Sequence, residues 1–312
     1  MKPVVFIDGK EGTTGLQIYE RLAGRDDLEL LLIDEDKRKD PAERKKCLNA
    51  ADLAILCLPD AAAAEAVALV ENPKTRIIDA STAHRTAGGW VYGFAELRPG
   101  QRQRIQGAKR VANPGCHATG FLAAAAPLAE MGVLPGDYPM TCYSLTGYSG
   151  GGKKMIAEYE APDRDGLLAS PAPYAIGLKH KHLPEMQKLA GLDYPPAFLP
   201  VLGDISRGMA TTILLHNRLL RGKPTAQDIY DLLCGYYEGQ KLVSVAPFGG
   251  TGSRLYTAAL AGTDRLELTV SGHEEQTLIT AQFDNLGKGA SGAAVQNLNL
   301  MLGFPETEGL NL

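Results

Sequence analysis

The spacing of apolar and polar residues changes along this chain. Over the first eighty residues, short apolar runs alternate with helical patterns. PVVFID (3–8) reads as a strand and the glycine-rich GKEGTTG (9–15) as a turn. LQIYERLAG (16–24) reads as a helix presenting Leu16, Ile18, Tyr19 and Leu22, with Gly24 as its stop. LELLLID (28–34), DLAILCLP (52–59) and RIIDAS (76–81) are further strands, and AAAAEAVALV (61–70) is a helix between the last two. Strands alternating with helices predict a parallel sheet with helices on its faces, and the unbroken AILCL run fits a strand buried on both sides.

After about residue 135 the pattern becomes a longer, strand-like alternation, in MTCYSLTGYSG (140–150), TTILLHNRLL (211–220) and LYTAALAGTDRLELTVSG (255–272). Few helices separate these runs, which predicts a second domain on a mixed, largely antiparallel sheet. ITAQFDN (279–285) then leads into LGKGASGAAVQNLNLMLG (286–303), a glycine-rich turn and a helix with Ala294, Leu298 and Met301 or Leu302 on one face. The fold class is α/β: a Rossmann-type, doubly wound parallel sheet joined to a second α/β domain.

Composition narrows the function classes. With 312 residues the chain is long enough for about two domains. A net charge of -4 gives no basic surface for nucleic acid, and the run DEDKRKD (34–40) is too short and too mixed in sign to supply one. No stretch reaches the roughly 18 to 20 apolar residues that a membrane span needs. MKPVVFIDG meets Asp-Gly too early to be a secretory signal. The five cysteines are odd in number and scattered without a CxxC pair, against a disulfide framework or zinc site. The expectation is a soluble, cytoplasmic protein without a metal, acting on a small molecule.

Gly9, Gly12 and Gly15 follow the first strand and precede the first helix. Glycines there permit a tight turn and let backbone amides approach a pyrophosphate at a helix N-terminus; Thr13 and Thr14 add hydroxyl donors. The spacing is G-x-x-G-x-x-G rather than G-x-G-x-x-G, but its place in the first strand-turn-helix marks a dinucleotide site. At the end of the second strand Asp34, Glu35 and Asp36 would suit a ribose hydroxyl, whereas Arg38 and Lys39 would suit a 2′-phosphate. Arg38, helped by Lys39, is the favoured clamp, which makes the cofactor NADP(H).

In RVANPGCHATG (110–120), Asn113 is a candidate helix cap, Pro114 suits the first helical position, and Cys116 falls in the first turn. A helix start favours a thiolate, a strong nucleophile toward acyl groups. Cys57 and Cys234 read instead as structural. A basic partner is offered by LKHKHLPEM (178–186): if residues 178–182 are extended, His180 and His182 share one face and Lys181 takes the other, with Pro184 starting a helix. Gly147 to Lys153 mimics a P-loop, but Lys154 stands where the magnesium-binding hydroxyl belongs, so the segment reads as an anion loop for a substrate phosphate or carboxylate.

With these features in order, the chain resembles the N-acetyl-gamma-glutamyl-phosphate reductase family in its short (type 2) form, within the aspartate-semialdehyde dehydrogenase superfamily. The motifs are GKEGTTG, EDKRKD, AILCLPDAAAAEAV, DASTAHRT, NPGCHATG, TGYSGGGKK, KHKHLPE and DNLGKGASGAAVQNLNLMLG, spread over essentially the whole chain. The resemblance implies an NADP-binding domain over 1–114, completed by a C-terminal helix in 287–312, and a catalytic, substrate-binding and oligomerisation domain over 115–286. It implies NADPH-dependent reduction of N-acetyl-L-glutamyl 5-phosphate to the semialdehyde in arginine biosynthesis, by a homo-oligomer that is a dimer or tetramer. Cys116 would be the nucleophile and His182 the base; Arg85, Ser149, His180 and Lys181 would lie near the substrate, and Pro59, Ser81 and Asn285 near the cofactor. One departure is His117, where the long form commonly has a tyrosine. The other is the shortened first glycine loop.

Overall fold

The computed structural model describes residues 2–250 and 252–312. Its strands form one six-stranded and one seven-stranded sheet among these described residues. Two units result: Met1–Ala95, Gly100–Pro114 and Ala290–Leu310 make the first, and Glu96–Pro99, Gly115–Gly289 and Asn311–Leu312 the second.

In the first unit β1 (Val4–Asp8) leads to α1 (Thr13–Leu22), β2 (Glu29–Leu31), α2 (Pro41–Ala50), β3 (Leu53–Leu56), α3 (Asp60–Leu69) and β4 (Arg76–Asp79). β5 (Val91–Tyr92), α4 (Gln101–Gly107) and β6 (Arg110–Ala112) follow. The strands lie in the order β2-β1-β3-β4-β6-β5, and every pairing is parallel. Each residue of β3 is buried, as its unbroken apolar run requires of a central parallel strand. The order turns outward in both directions from β1, which opens a crevice beyond the carboxyl ends of β1 and β3. β2 is shorter than the apolar run 28–34 predicts, spanning Glu29–Leu31.

The charged segment PAERKKCLNA, which has no clear helical stripe, is nevertheless the helix α2. The Asp40 carboxylate accepts the Ala42 N–H at its start and Pro41 sits in the first turn. The last helix, Gly292–Leu302, joins the first unit. Asn297 Nδ2 donates to Gly93 O at 2.9 Å and to Asn113 Oδ1 at 3.0 Å, and Ala294, Val295 and Leu298 enter the core with Ile18 and Ile78.

The second unit begins with α5 (Cys116–Glu130), followed by β7 (Thr141–Gly147), α6 (Gly152–Glu160), β8 (Ala172–Pro173), α7 (Leu183–Leu189), β9 (Ala197–Gly203) and β10 (Met209–His216). α8 (Ala226–Tyr236), β11 (Val243–Val245), β12 (Leu266–Gly272) and β13 (Gln276–Phe283) complete it. The sheet order is β11-β12-β13-β10-β7-β9-β8, antiparallel except at β11–β12 and β7–β9. α5 is buried on nearly every side, so its Ala-rich, almost uniformly apolar sequence is that of a core helix. The run 255–272 contributes a strand only from Leu266, its first half being turns.

Candidate active site

Cys116 is the first residue of α5, half-buried, and the cap before it is Gly115. Asn113 is therefore not the cap that its residue type predicts. Its Nδ2 donates to Ala290 O at 3.0 Å, its Oδ1 accepts from Asn297, and its N–H donates to Asp79 O. The side chain is consumed in joining the last helix to β6, leaving the next available residue to start α5. Cys116 still meets the positive dipole end of a helix whose first turn carries no acidic residue. Burial acts oppositely on other cysteines. It pushes the Cys57 thiol up to about 12, with Asp79 and Asp8 adding to the effect, and raises Cys142 as well.

A histidine cluster lies at the same helix start. The His117 ring centroid is 5.4 Å from that of His180 and 5.7 Å from that of His182, and the latter two rings stand 4.7 Å apart at 85°. Residues 178–182 are not extended. Leu178 has φ +55° and residues 181–182 form a turn, so a reversal of the chain rather than strand alternation brings the imidazoles together. His182 is buried at the cap position of α7 and its N–H donates to His180 Nδ1 at 3.1 Å; Lys181 points to solvent.

Glu185 is a member of the site that the sequence reading missed. It occupies the third position of α7, where a glutamate ordinarily reaches back to its own helix cap. Here its Oε2 accepts the N–H of Gly115 at 3.2 Å, tying the helix start behind His182 to the one that carries Cys116. The available signal was the glutamate three residues after His182, but nothing local named its partner.

Ser149 is buried and its hydroxyl accepts from Asn285 Nδ2 at 2.9 Å, while Asn285 Oδ1 accepts the Gly208 N–H at 2.9 Å. Arg85 donates from Nε to Asn113 O at 2.9 Å and from Nη2 to Ala80 O at 3.2 Å. Ser81 donates to the buried Asp79 carboxylate at 2.7 Å. The glycine loop after β7 runs through a short 3₁₀ turn into α6, with Lys153 and Lys154 in its first turn.

Five of the expected cofactor residues, Gly9, Gly12, Arg38, Lys39 and Pro59, line the crevice of the first unit, a cavity of about 520 Å³. Gly9 has φ +87°, and a methyl group on it would lie 2.4 Å from the Cys57 carbonyl oxygen; one on Gly15 would lie 2.4 Å from Gly9 O. Backbone thus packs against backbone beside a surface bare of side chains, the cradle a pyrophosphate needs. The Thr13 hydroxyl oxygen is enclosed yet has no hydrogen-bond partner within the protein, which fits a donor reserved for a ligand at the start of α1. Thr13, Thr14, Gly15, Ser81 and Asn285 are not among the residues that line this cavity.

Arg44, from α2, does line it, and it too escaped the sequence reading. Its guanidinium contacts Asp8 Oδ2 at 2.9 Å, both side chains being buried. Burial raises the Asp8 pKa against the opposing pull of Arg44. Among the described residues no group of His, Cys, Asp and Glu is arranged to hold a metal, and no helix is long and apolar enough to cross a membrane.

Residues 116–285 match the family described as semialdehyde dehydrogenase, dimerisation domain. Over 320 aligned positions covering 99% of both chains, the sequence is 50% identical to N-acetyl-gamma-glutamyl-phosphate reductase 2 of Nostoc sp.. It is 50% identical to the protein of that name from Pseudomonas putida, over 98% of this chain and 99% of that one. Among solved structures, aspartate semialdehyde dehydrogenase II of Vibrio cholerae, complexed with ASA, superposes with a TM-score of 0.74 at 18% identity, covering 97% of this chain and 99% of that one. The aspartate semialdehyde dehydrogenase of Candida albicans, solved with NADP, gives 0.67 at 14% identity, covering 97% and 99% of the two chains. These structures share the fold.

Proposed function

The chain belongs to the N-acetyl-gamma-glutamyl-phosphate reductase family, and from that premise we propose how its own residues carry the reaction. It is an NADP(H)-dependent oxidoreductase of arginine biosynthesis that reduces N-acetyl-L-glutamyl 5-phosphate to the 5-semialdehyde with release of phosphate. The first unit is its cofactor domain and the second its catalytic domain.

The observation that carries the site assignment is the half-buried Cys116 at the start of α5, next in sequence to His117, whose ring packs against His180 and His182, with their helix tied to α5 through Glu185 and Gly115. The Cys116 thiolate attacks the acyl carbon, the carbon–oxygen bond to phosphate breaks, and a thioester remains on sulfur. NADPH, when bound, supplies the hydride that reduces this thioester. The amide at the helix start and the protonated His182 ring stabilise the oxyanion, each worth about 3 kcal/mol in comparable sites. The oxyanion collapses, the carbon–sulfur bond breaks, the aldehyde leaves, and the thiolate is regenerated.

Gly9, Gly12, Thr13, Thr14 and Gly15 hold the pyrophosphate, with Arg38 and Lys39 on the 2′-phosphate; Pro59, Ser81 and Asn285 complete the cofactor contacts. Arg85, Ser149, His180 and Lys181 orient the substrate and its anionic groups. A second copy of the chain covers the outer face of the large sheet. The register places Tyr143 beside Leu199 and Thr212 there, and Tyr143 and Leu214 are 41% and 51% exposed. That pairing would make a dimer, or a tetramer built from it. The five free cysteines suit a cytoplasmic location.

The test is reduced-nicotinamide absorbance with wild type and Cys116→Ala, run toward the aldehyde or back from aldehyde, NADP and phosphate. Cys116→Ala and Cys116→Ser should lose turnover while still binding NADP, since a hydroxyl is scarcely ionised near neutral pH. Turnover by the alanine variant within about tenfold of wild type would remove Cys116 from the mechanism.

A further inference from the structure

His117 follows the nucleophile in sequence, but successive residues of a helix point about 100° apart, and its ring is turned into the protein, 2% exposed. Its Nδ1 lies 2.8 Å from Ser144 Oγ on β7, and its Nε2 lies 2.7 Å from the Tyr174 hydroxyl. Ser144 Oγ is in turn 2.8 Å from Thr211 Oγ1 on β10. Four side chains from α5, β7, β10 and the segment after β8 thus form one chain of hydrogen bonds, buried at His117, Ser144 and Thr211 and half-buried at Tyr174.

Burial, reinforced by His180 and Lys181, pushes the His117 pKa down to about 3, so the ring is neutral, with one nitrogen donating and one accepting. Burial also raises the Tyr174 pKa, and negative charge at Cys116 adds to the rise, so the phenol keeps its proton. Ser144 Oγ and the Tyr174 hydroxyl therefore engage both ring nitrogens, whichever of the two carries the proton. His117 has no free lone pair with which to take a proton from the thiol or from an intermediate.

Residues 174–182 lead from Tyr174 to His182. Ala175 and Leu178 sit at φ +49° and +55°, a left-handed region that side chains avoid, so this loop must be held by its contacts. His117 supplies contacts along its length, binding the Tyr174 hydroxyl at the start and packing against the rings of His180 and His182 at the end.

We propose that His117 is a positioning residue: through the Tyr174 hydroxyl and its own ring it holds the 174–182 loop so that His180 and His182 keep their place at the start of α5. The proposal rests on the reading of Cys116 and the histidine pair given above. It separates two neighbours in sequence into a nucleophile and a fixed support.

The test uses Tyr174→Phe, His117→Ala, His117→Gln and the double variant His117→Ala/Tyr174→Phe in the full chain. The readouts are kcat, KM, the pH profile of kcat/KM, and the pH dependence of Cys116 alkylation by iodoacetamide. Tyr174→Phe and His117→Ala should each lower kcat by about ten- to a hundredfold, the scale on which small misplacements act, and raise KM as well, because the loop carries His180 along with His182. The double variant should be no worse than the poorer single one, because both remove the same support. His117→Gln, which keeps an acceptor for the tyrosine hydroxyl, should recover part of the loss. In His117→Gln the midpoints of both pH profiles should stay where they are in wild type. His117→Ala opens a cavity, so melting temperatures are recorded for every variant; Tyr174→Phe keeps its ring, and full activity in that variant overturns the proposal. Multiplying losses in the double variant, or a displaced alkylation midpoint in His117→Gln, also overturn it. Cys116→Ala run in parallel keeps the readings apart, since its turnover tests the nucleophile and the coupling pattern tests His117.

Discussion

Glu185 of α7 accepts the backbone N–H of Gly115 at 3.2 Å, so the helix capped by His182 is fastened to the helix that begins with Cys116. Glu185 is 2% exposed. Its removal strands a buried amide, at a cost of about 1 to 3 kcal/mol. Glu185→Ala should lower the melting temperature and reduce kcat about ten- to a hundredfold, whereas Glu185→Gln, whose amide oxygen still accepts, should retain most of both. Thermal unfolding and steady-state kinetics on the two variants check this; stability loss without kinetic loss would reduce the link to a structural tie.

His182→Asn should lower turnover by about 10²- to 10⁴-fold with little change in substrate KM, the usual range for general acid–base assistance. It should also slow iodoacetamide alkylation of Cys116 near neutral pH. His180, whose Nδ1 accepts the His182 N–H, should chiefly raise KM when changed to Asn. If the turnover loss and the alkylation defect follow His180 instead, the two roles are exchanged.

Arg38 is 43% exposed and only 3.5 Å from Glu35, a surface pair worth about 0 to 1 kcal/mol, so it is available to turn toward a 2′-phosphate. Arg38→Ala should weaken NADPH relative to NADH by about 1.5 to 3 kcal/mol, measured by nicotinamide fluorescence titration. Equal losses for both cofactors would make the run a solvated edge. Arg44→Ala should weaken both and also destabilise the fold, because the Asp8 carboxylate is left buried without its guanidinium.

The neutral His117 makes stability depend on pH. Its folded pKa is about 3, against about 6.5 in an unfolded chain. Between those values the unfolded chain binds a proton that the native ring refuses, so stability falls as pH drops through this window and is unaffected above it. The slope from this group is at most about 1.4 kcal/mol per pH unit. Melting temperatures from about pH 7 to about pH 4.5 should therefore fall more steeply for wild type than for His117→Gln. Parallel curves would locate the acid sensitivity elsewhere.

Local pattern was enough to identify the glycine turn between β1 and α1, the buried β3 and the placement of Cys116 at a helix start. Each depends on spacing within a few residues, and glycine at a crowded turn or an apolar run through a sheet has few alternatives. Where two uses of a side chain competed, the fold decided. Asn113 has the composition of a cap but is taken by Ala290 and Asn297, 177 and 184 residues away, so Gly115 caps α5. The histidine pair converges through a turn that nothing in KHKHLPE distinguishes from a strand, and α2 forms although its sequence shows mainly charge. Glu185 is separated from Gly115 by 70 residues, and Arg44 from Asp8 by 36. Such pairs depend on how the chain closes in space: backbone spacing dictates which residues of one helix share a face, whereas the partner of a buried donor or charge is set by which distant element packs against it.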